Sequence, residues 1–381
     1  MVSYLIATRN RPHRVQRLLR DIARTHPAQG LNEIVVVDDA SQQRLICPAR
    51  LPNGVPLRSV WLTERAGWAG MNEAARLTDP RSEWLVFLRD DTCPVRGECA
   101  QWLGDWGPHV LAVAPDIFVD AHGKHPARRV TTSLPETLSP AAMAVRRDAF
   151  LRTGGFAGGL SGPGAVLDLC ARLLPAHSSA GRADQPARIA FDPRWMVARR
   201  PGARRTRNQD SLARQLRDYA FVLASHAPEG ARAEVLRCLQ GVAVGPGKGA
   251  RRALARVLHD ARSLPLGGAS REIWDRLTGV HEVRASLARA HALAPFRTAS
   301  LIEPGRHAWV VAQALADLGV PTVERTEKPD VLVIASITPA AMLGALFRHT
   351  PKGVRARGPR VLAPWTPALP AHPGLRPAAA A

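Results

Sequence analysis

Cysteine and tyrosine are scarce in this chain of 381 residues, and each shortage narrows what the protein can be. The five cysteines are scattered and none stands in a C-x-x-C pair, which argues against a disulfide framework or a zinc site and fits a reducing compartment. With only two tyrosines, the sequence has no aromatic and basic stacking pattern of the kind that binds single-stranded nucleic acid.

Long apolar runs are absent as well. No apolar stretch reaches about 18 residues, so we expect no membrane-spanning helix. The opening residues, MVSYLIATRNR, do not predict a secretory signal, because their apolar stretch is too short and no small-residue cleavage site follows. We therefore expect a cytoplasmic protein, and a peripheral contact with the inner face of the membrane stays open.

Lysine is the third scarce residue, although the formal net charge is +20. Four of the 52 basic residues are lysines and the rest are arginines, spread along the whole chain beside abundant Ala, Pro and Gly. We interpret most of this charge as compositional, and we expect it to attract phosphates or an anionic membrane surface. Nucleic-acid binding is a weaker hypothesis that charge alone supports, and we expect no nucleic-acid partner.

The first part of the chain alternates between strand and helix patterns. Four apolar runs predict buried strands: 2–7 (VSYLIA), 33–41 (EIVVVDDAS), 59–64 (SVWLTE) and 83–91 (EWLVFLRDD). Pro12 stands where a helix can begin, and an apolar face follows at helical spacing: Val15, Leu18, Leu19 and Ile22. A short helix over 68–77 precedes the last of these strands. This alternation predicts a mainly parallel α/β sheet.

Polar residues follow the predicted strands at the positions where ligands bind in such sheets. Thr8, Asp39 and Asp91 all lie at carboxyl ends, so we expect them to converge on one crevice. Asp91 belongs to FLRDDTCP, in which two acids directly follow a buried run. On its own, the acidic turn Asp38-Asp39 after the second predicted strand often only caps a helix.

The rest of the chain divides by pattern. We predict an α/β domain over 1–204 that includes further strands, a helix over 166–177 and a glycine turn. A helical region follows over 205–296, then a small β-α-β-α-β unit of unknown role over 297–365 and a Pro/Ala-rich, disordered tail over 366–381. The single glycine at the first turn of the small unit, Gly305, does not make a dinucleotide motif.

Five segments in order resemble family 2 glycosyltransferases with the nucleotide-sugar-binding GT-A fold, most closely the rhamnosyltransferase and galactofuranosyltransferase branch. They are VSYLIATRNRP, EIVVVDDAS, GWAGMNEA, FLRDDTCP and AMAVRRDAFLRTGGF, and together they span about residues 1–200. The resemblance implies that Asp39 accepts hydrogen bonds from the base or ribose of the nucleotide, and that Ala7 and Thr8 meet the base.

The resemblance also implies roles at the diphosphate. FLRDDTCP is similar to the branch's version of the DxD motif, so Asp91 is the expected ligand of Mg²⁺ or Mn²⁺, and Asp90 approaches the ribose or a metal-bound water. A solvated acidic loop is the alternative. Arg65 is either a diphosphate contact or a surface residue. Arg199 and Arg200, where the family often has a histidine, are expected to hold the diphosphate with less dependence on a metal.

The catalytic base is the point where the match fails. The family's Glu-Asp pair is replaced by Ala165-Val166, and Asp168 is the only nearby carboxylate. Three hypotheses remain: Asp168 is the base or merely a helix cap or buried hydrogen-bonding group; His177 or an acid from another segment is the base; or the protein binds a nucleotide sugar with little catalysis. We interpret His122 and His125 as surface residues rather than a metal pair.

The resemblance therefore implies an inverting, metal-assisted glycosyltransferase of cell-wall, polysaccharide or glycoconjugate biosynthesis. The expected donor is a UDP-, dTDP- or GDP-sugar. The expected acceptor is a hydroxyl on a glycan, a lipid-linked molecule or a small molecule. The alternative is a GT-A-fold partner or binding protein that has lost its base.

Overall fold

The computed structural model describes residues 1–26, 30–95, 99–119, 136–175, 185–200, 209–228, 231–233, 259, 268–303, 308–336, 345–346, 348–349 and 359–365. The predictions for His122, His125, His177 and the 366–381 tail lie outside these residues. The large sheet contains β1 Val2–Thr8, β2 Leu31–Asp38, β3 Leu57–Trp61, β4 Trp84–Arg89, β5 Thr92–Pro94, β6 Val110–Val119, β7 Ala142–Arg146 and β8 Arg188–Arg199.

Helices alternate with these strands and continue beyond them. They are α1 Pro12–Thr25, α2 Gly70–Leu77, α3 Cys99–Gly104, α4 Arg147–Arg152, α5 Gly162–Leu173, α6 Gln209–His226, α7 Arg271–Thr278 and α8 Val280–Leu293, and short 3₁₀ turns occur at Gly67–Ala69 and Arg325–Glu327. A smaller unit follows with β9 Ala299–Ile302, α9 Ala308–Asp317, β10 Val331–Ile334 and β11 Arg360–Leu362.

The large sheet has the strand order β3-β2-β1-β4-β7-β6-β8-β5. Its first four strands are parallel to one another, as are β6 and β8. The pairs of β7 with β4 and with β6, and of β5 with β8, are antiparallel. The predicted fold class, α/β with a mixed and mainly parallel sheet, is confirmed.

Apolar helix faces cover both sides of this sheet. The α1 face predicted from its spacing is buried, and it packs in one core layer with the inward side chains of β1, β2 and β4. The opposite core layer holds α2, α4, α5 and α6. Because the central strands are covered on both faces, they are apolar along nearly their whole length rather than alternating.

The predicted C-terminal β-α-β-α-β pattern is present as a three-stranded parallel sheet in the order β11-β10-β9. Its core is continuous with that of the large sheet, and the Trp274 ring of α7 lies 6.0 Å from the Trp309 ring of α9. Most of the helix predicted between β10 and β11 falls outside the described residues. Among the helices that the structure describes, none is long and apolar enough to cross a membrane.

Candidate functional site at the strand ends

Thr8, Asp39 and Asp90 meet at the carboxyl ends of three adjacent parallel strands. The Thr8 hydroxyl donates a hydrogen bond to Asp90 Oδ2 over 3.1 Å, and the Asp39 amide donates to the Thr8 carbonyl over 2.9 Å. All three side chains belong to buried residues. The parallel register of β1 with β2 and β4 places them there, because all three strands end at the same sheet edge.

The two acids after β2 have different contacts. Asp38 closes its own turn by accepting the amides of Ser41 and Leu45 at 3.1 and 2.9 Å. Asp39 Oδ1 accepts the amides of Ala66 and Gly67 at 2.7 and 3.1 Å. Asp39 therefore holds the loop that leads into the 3₁₀ turn. These contacts engage one oxygen of its carboxylate, Oδ1.

Two non-glycine residues at these strand ends have positive φ angles, Asn10 at 52° and Ala40 at 54°. Residues other than glycine rarely adopt this backbone conformation unless neighbouring groups stabilise it. The Asn10 amide donates to Ser41 Oγ over 2.8 Å, and the Gln42 amide donates to Asn10 Oδ1 over 2.9 Å. The loops after β1 and β2 therefore hold each other in place. Sequence reasoning missed both residues.

Asp90 points toward α1 and is held by one cation. Its Oδ1 lies 3.3 Å from Arg11 Nη1, just before the helix begins. Burial raises the pKa of Asp90, while the Arg11 guanidinium and the Thr8 hydroxyl act in the opposite direction. Arg11 is one of many scattered arginines, so no spacing in the sequence predicts this contact.

Asp91 lies between two guanidinium groups. Arg89 Nε is 3.0 Å from Asp91 Oδ1, and Arg89 Nη2 donates to Oδ2 over 3.2 Å. Arg199 Nε, from the end of β8, donates to the same Oδ2 over 3.3 Å. The Asp91 side chain is 3% exposed, whereas those of Arg89 and Arg199 are 35% and 36% exposed. The acid is therefore buried beneath two cations that reach solvent.

In this structure two guanidiniums contact Asp91, the expected ligand of a divalent cation. No group of three or more His, Cys, Asp or Glu side chains that could hold a metal ion occurs in the part of the chain that the structure describes. Asp91 Oδ1 is in an ion pair with Arg89 Nε but accepts no hydrogen bond, and the two guanidiniums beside Asp91 oppose a further positive charge. Mg²⁺ or Mn²⁺ at Asp91 stays a prediction.

The two remaining predicted substrate contacts, Ala7 and Arg65, differ in exposure. Ala7 is partly buried and pairs in register with Val37 on one side and Arg89 on the other. Arg65 is exposed and directly precedes the loop amides that Asp39 holds. Asp39 thus fixes the backbone beside Arg65, while the Arg65 side chain extends to solvent.

Asp168, the predicted base, has other partners. It lies in the middle of α5, which begins four residues earlier than predicted, so it does not cap that helix. Its Oδ2 accepts from Arg172 at 2.6 and 2.9 Å, and its Oδ1 lies 3.0 Å from His226 Nε2. Burial opposes ionisation of Asp168, but the hydrogen bonds from His226 and Arg172 prevail and lower its pKa.

Arg172 extends this contact to the glycine turn after α4. Its Nη atoms donate to the carbonyls of Thr153 and Gly155 at 2.5 and 2.7 Å. Of the roles considered for Asp168, these contacts favour the buried hydrogen-bonding one. Asp168 positions Arg172, which in turn holds the turn.

An acid from a different segment lies beside the start of α5. Ala165 and Val166 are fully buried, so side chains at these positions face the core. Asp218 of α6, 1% exposed, accepts the Ser161 amide over 2.7 Å and pairs with Arg217. No local spacing predicts this contact, because Asp218 comes from a different helix.

No protein-family model matches the sequence, and no curated protein matches it. The fold is similar to that of TarS (1–349) from S. aureus, with 15% identity over 83% of this chain and 91% of that chain and a TM-score of 0.48. It is also similar to mannosyltransferase PcManGT from Pyrobaculum calidifontis, solved with GDP-Man and Mn²⁺, with 18% identity over 83% and 86% of the chains and a TM-score of 0.44.

Proposed function

We propose that this protein is an inverting glycosyltransferase that moves a sugar from a nucleoside-diphosphate donor to a hydroxyl acceptor. The proposed donor site is the cluster at the ends of β1, β2 and β4. The proposed relatives of this protein are the rhamnosyltransferase and galactofuranosyltransferase branch. The proposed donor is a UDP-, dTDP- or GDP-sugar, and the proposed location is the cytoplasm.

The observation that supports the proposal is the order of the chemical groups along the carboxyl-end edge of the large sheet: acceptor oxygens first, then guanidiniums. Asp39 offers acceptor oxygens, which suit the N–H and O–H groups of a base or ribose. About one strand spacing from Asp39, Thr8 donates to Asp90, and the next residue, Asp91, holds the two guanidiniums of Arg89 and Arg199. Guanidinium groups bind phosphate oxygens through paired hydrogen bonds. A nucleoside diphosphate has the same order, from a neutral donor-rich end to an anionic end.

Arg89 and Arg199 supply the positive charge that sugar transfer requires. In the reaction the bond between the anomeric carbon and the diphosphate oxygen breaks as the acceptor oxygen forms a new bond to that carbon. Negative charge then grows on the leaving diphosphate, and fixed cations in a partly buried site stabilise it. Asp91 holds both guanidiniums in place before the donor arrives.

The acceptor hydroxyl must also lose a proton, and its base is not assigned by these contacts. Asp168 is engaged by Arg172 and His226, which supports a positioning role. The observation that the two base positions hold buried Ala165 and Val166 favours a second candidate function. In that case the protein binds the nucleotide sugar and acts as a partner or regulatory subunit with little turnover.

Calorimetric titration with UDP, dTDP, GDP and their sugar conjugates tests the donor site. Titrations are run in EDTA and in Mn²⁺, with wild type, Asp91→Asn, and Asp105→Asn as a matched control. Asp105 is exposed and contacts Arg194 instead of the cluster. We expect one nucleotide to bind, Asp91→Asn to weaken it about tenfold, and Asp105→Asn to bind like wild type.

Release of the nucleoside diphosphate, with and without a panel of hydroxyl acceptors, then separates the two functions. Turnover that requires Asp91 supports the transferase. Binding without turnover for every acceptor supports the partner protein. If no nucleotide or nucleotide sugar binds under either metal condition, both are wrong. Binding that occurs in Mn²⁺ but not in EDTA would support the predicted divalent cation at Asp91.

A further inference from the structure

A second cluster of arginines lies on the exposed side of α1, away from Asp90 and Asp91. A cavity of about 340 Å³ opens there, and five residues line it: Arg17, Arg20, Asp21, Arg24 and Arg200. We call it the α1 pocket. Four of its five lining residues are cationic, so its ligand must be anionic.

Helix geometry explains how α1 builds one wall of this pocket. Arg17, Arg20 and Arg24 follow at i, i+3 and i+7, which places them on one helix face. The face packed on the sheet carries the apolar residues instead. The three arginines are exposed, and the buried face of the helix fixes the backbone positions from which they line the pocket.

Charge compensation in the pocket is incomplete. Its one acid, Asp21, accepts a hydrogen bond from Arg200 Nη1 over 2.7 Å, with the two side chains 20% and 30% exposed. Within the described residues, no ion pair engages Arg17, Arg20 or Arg24. The contact that the structure gives among them is Arg20 Nε donating to the Gln16 carbonyl over 3.3 Å. Three guanidiniums that line the pocket are therefore not neutralised by an acid among the described residues.

Arg200 fixes the pocket relative to the strand ends. Its backbone amide donates to the Asp91 carbonyl over 2.7 Å, while its side chain reaches Asp21. None of the strand-end residues Thr8, Asp39, Asp90 and Asp91 lines the pocket, and Arg11, which pairs with Asp90, precedes Asp21 by ten residues, about 15 Å along the α1 axis. The pocket is thus distinct from the strand-end site, and one residue connects them.

We propose that the α1 pocket binds a phosphate ester with one or two phosphate groups. Converging guanidiniums recognise phosphate through charge-assisted hydrogen bonds, and the cavity has room for a diphosphate. The phosphate belongs either to a soluble ester or to a lipid headgroup, because both present the same oxygens. This inference stands without the proposed transferase activity, since it uses none of the strand-end acids.

Calorimetric titration of the full chain with inorganic pyrophosphate tests the proposal. The variant Arg17→Gln/Arg20→Gln/Arg24→Gln removes three charges at the pocket. The control Arg271→Gln/Arg289→Gln/Arg325→Gln removes three exposed charges from the C-terminal part of the chain. We expect the pocket variant to lose at least about tenfold in pyrophosphate affinity and the control to stay within about twofold. Equal losses in both variants would mean that net charge alone attracts the anion, and the proposal would be wrong.

Pyrophosphate can also enter the strand-end site, so each titration is repeated with Arg199→Gln added. Loss of one binding site with the pocket variant and of another with Arg199→Gln supports both proposals. Loss with Arg199→Gln alone overturns the α1 pocket and leaves the donor site standing. Loss with the pocket variant alone supports the pocket and contradicts the diphosphate role of Arg199.

Cosedimentation with phosphatidylglycerol vesicles, against phosphatidylcholine vesicles, identifies the source of the phosphate. If the pocket variant loses both pyrophosphate and phosphatidylglycerol binding, the pocket takes lipid headgroups. If wild type binds pyrophosphate through the pocket but no vesicles, the ligand is a soluble ester. Vesicle binding that falls while pyrophosphate binding is unchanged indicates diffuse surface attraction, which overturns the pocket.

Discussion

Arg199 Nε lies 3.3 Å from Asp91 Oδ2, so the last strand of the large sheet brings a guanidinium to the acid that follows β4. The two residues are 108 positions apart in sequence. Arg89, two residues before Asp91 in the sequence, pairs with the same carboxylate. Asp91 therefore acts as an anchor for cations, and those cations are the groups that reach solvent. This relationship changes the expected role of the acidic pair, because the positive charge is supplied by the chain itself.

Arg199→Gln tests whether this guanidinium holds the diphosphate. Glutamine keeps much of the side-chain length but loses the charge, and a hydrogen bond to a charged group contributes about 1.5–3 kcal/mol. We expect nucleoside-diphosphate affinity in EDTA to fall about tenfold or more by calorimetry. Arg188→Gln at the opposite end of β8 is the control, because Arg188 pairs with Glu136 instead. Equal affinity in both variants would contradict the role.

Asp168→Asn distinguishes a base from a positioning residue. The variant removes the charge that holds Arg172 and His226, and we expect it to lower the free energy of unfolding by about 1–3 kcal/mol. If Asp168 only positions Arg172, kcat measured well below the melting temperature stays close to wild type. A base contributes about 100-fold or more, so a loss of that size, with an altered pH profile and an unchanged melting temperature, would identify Asp168 as the base instead.

The sequence predicts the strands and the acids at their ends but not the partners of those acids. Apolar runs long enough for buried strands locate β1, β2 and β4, and the position of Asp39 and Asp91 after such runs follows directly. Register and strand order decide which cation meets which acid. Arg199 reaches Asp91 because β8 pairs antiparallel with β5, a long-range pairing that no local spacing encodes.

The region around α5 shows the same limit. The helix was predicted from 166 by its apolar residues, whereas Pro163 in its first turn places the start at Gly162. That shift moves Asp168 from a cap into the helix interior. Asp218 reaches the start of α5 through the packing of α6, which is tertiary information. The positive φ angle at Ala40 likewise depends on neighbouring loops, because this backbone conformation is unfavourable for alanine.

His26 is expected to make the stability of the folded protein depend on pH. His26 is buried between the Tyr4 hydroxyl and Thr25 Oγ1, at 2.8 and 2.9 Å, and burial lowers its pKa from 6.5 to about 4. Since the unfolded chain binds the proton more readily, stability is complete above pH 6.5 and is lost as the pH falls from 6.5 to about 4. The loss is at most about 3 kcal/mol.

Urea unfolding between pH 7 and pH 4, compared with His26→Gln, measures this effect. Carboxylates titrate in the same range in both proteins, so the difference between the two isolates His26. We expect the stability of wild type to fall more steeply than that of His26→Gln. Parallel curves for the two proteins would show that His26 titrates normally in the fold.

Gly164→Ala is expected to destabilise the protein although alanine is the better helix former. In an open helix this change contributes up to about 1 kcal/mol of stability. At Gly164, however, a Cβ atom would lie 2.7 Å from Asp218 Cβ, so α5 and α6 would have to separate. Overpacking of this kind costs about 1–3 kcal/mol, which outweighs the gain in helix propensity.

Gly104→Ala is the matched control for this prediction. Gly104 also lies in a helix, α3, and a Cβ atom there would meet nothing within 4 Å. We expect chemical denaturation to show an unchanged or slightly higher stability for Gly104→Ala and a clear loss for Gly164→Ala. Because Asp218 holds the Ser161 amide at the start of α5, the loss should be accompanied by weaker hydrogen-exchange protection of that amide. Equal stabilities for the two variants would mean that α6 does not pack against Gly164 as closely as this structure has it.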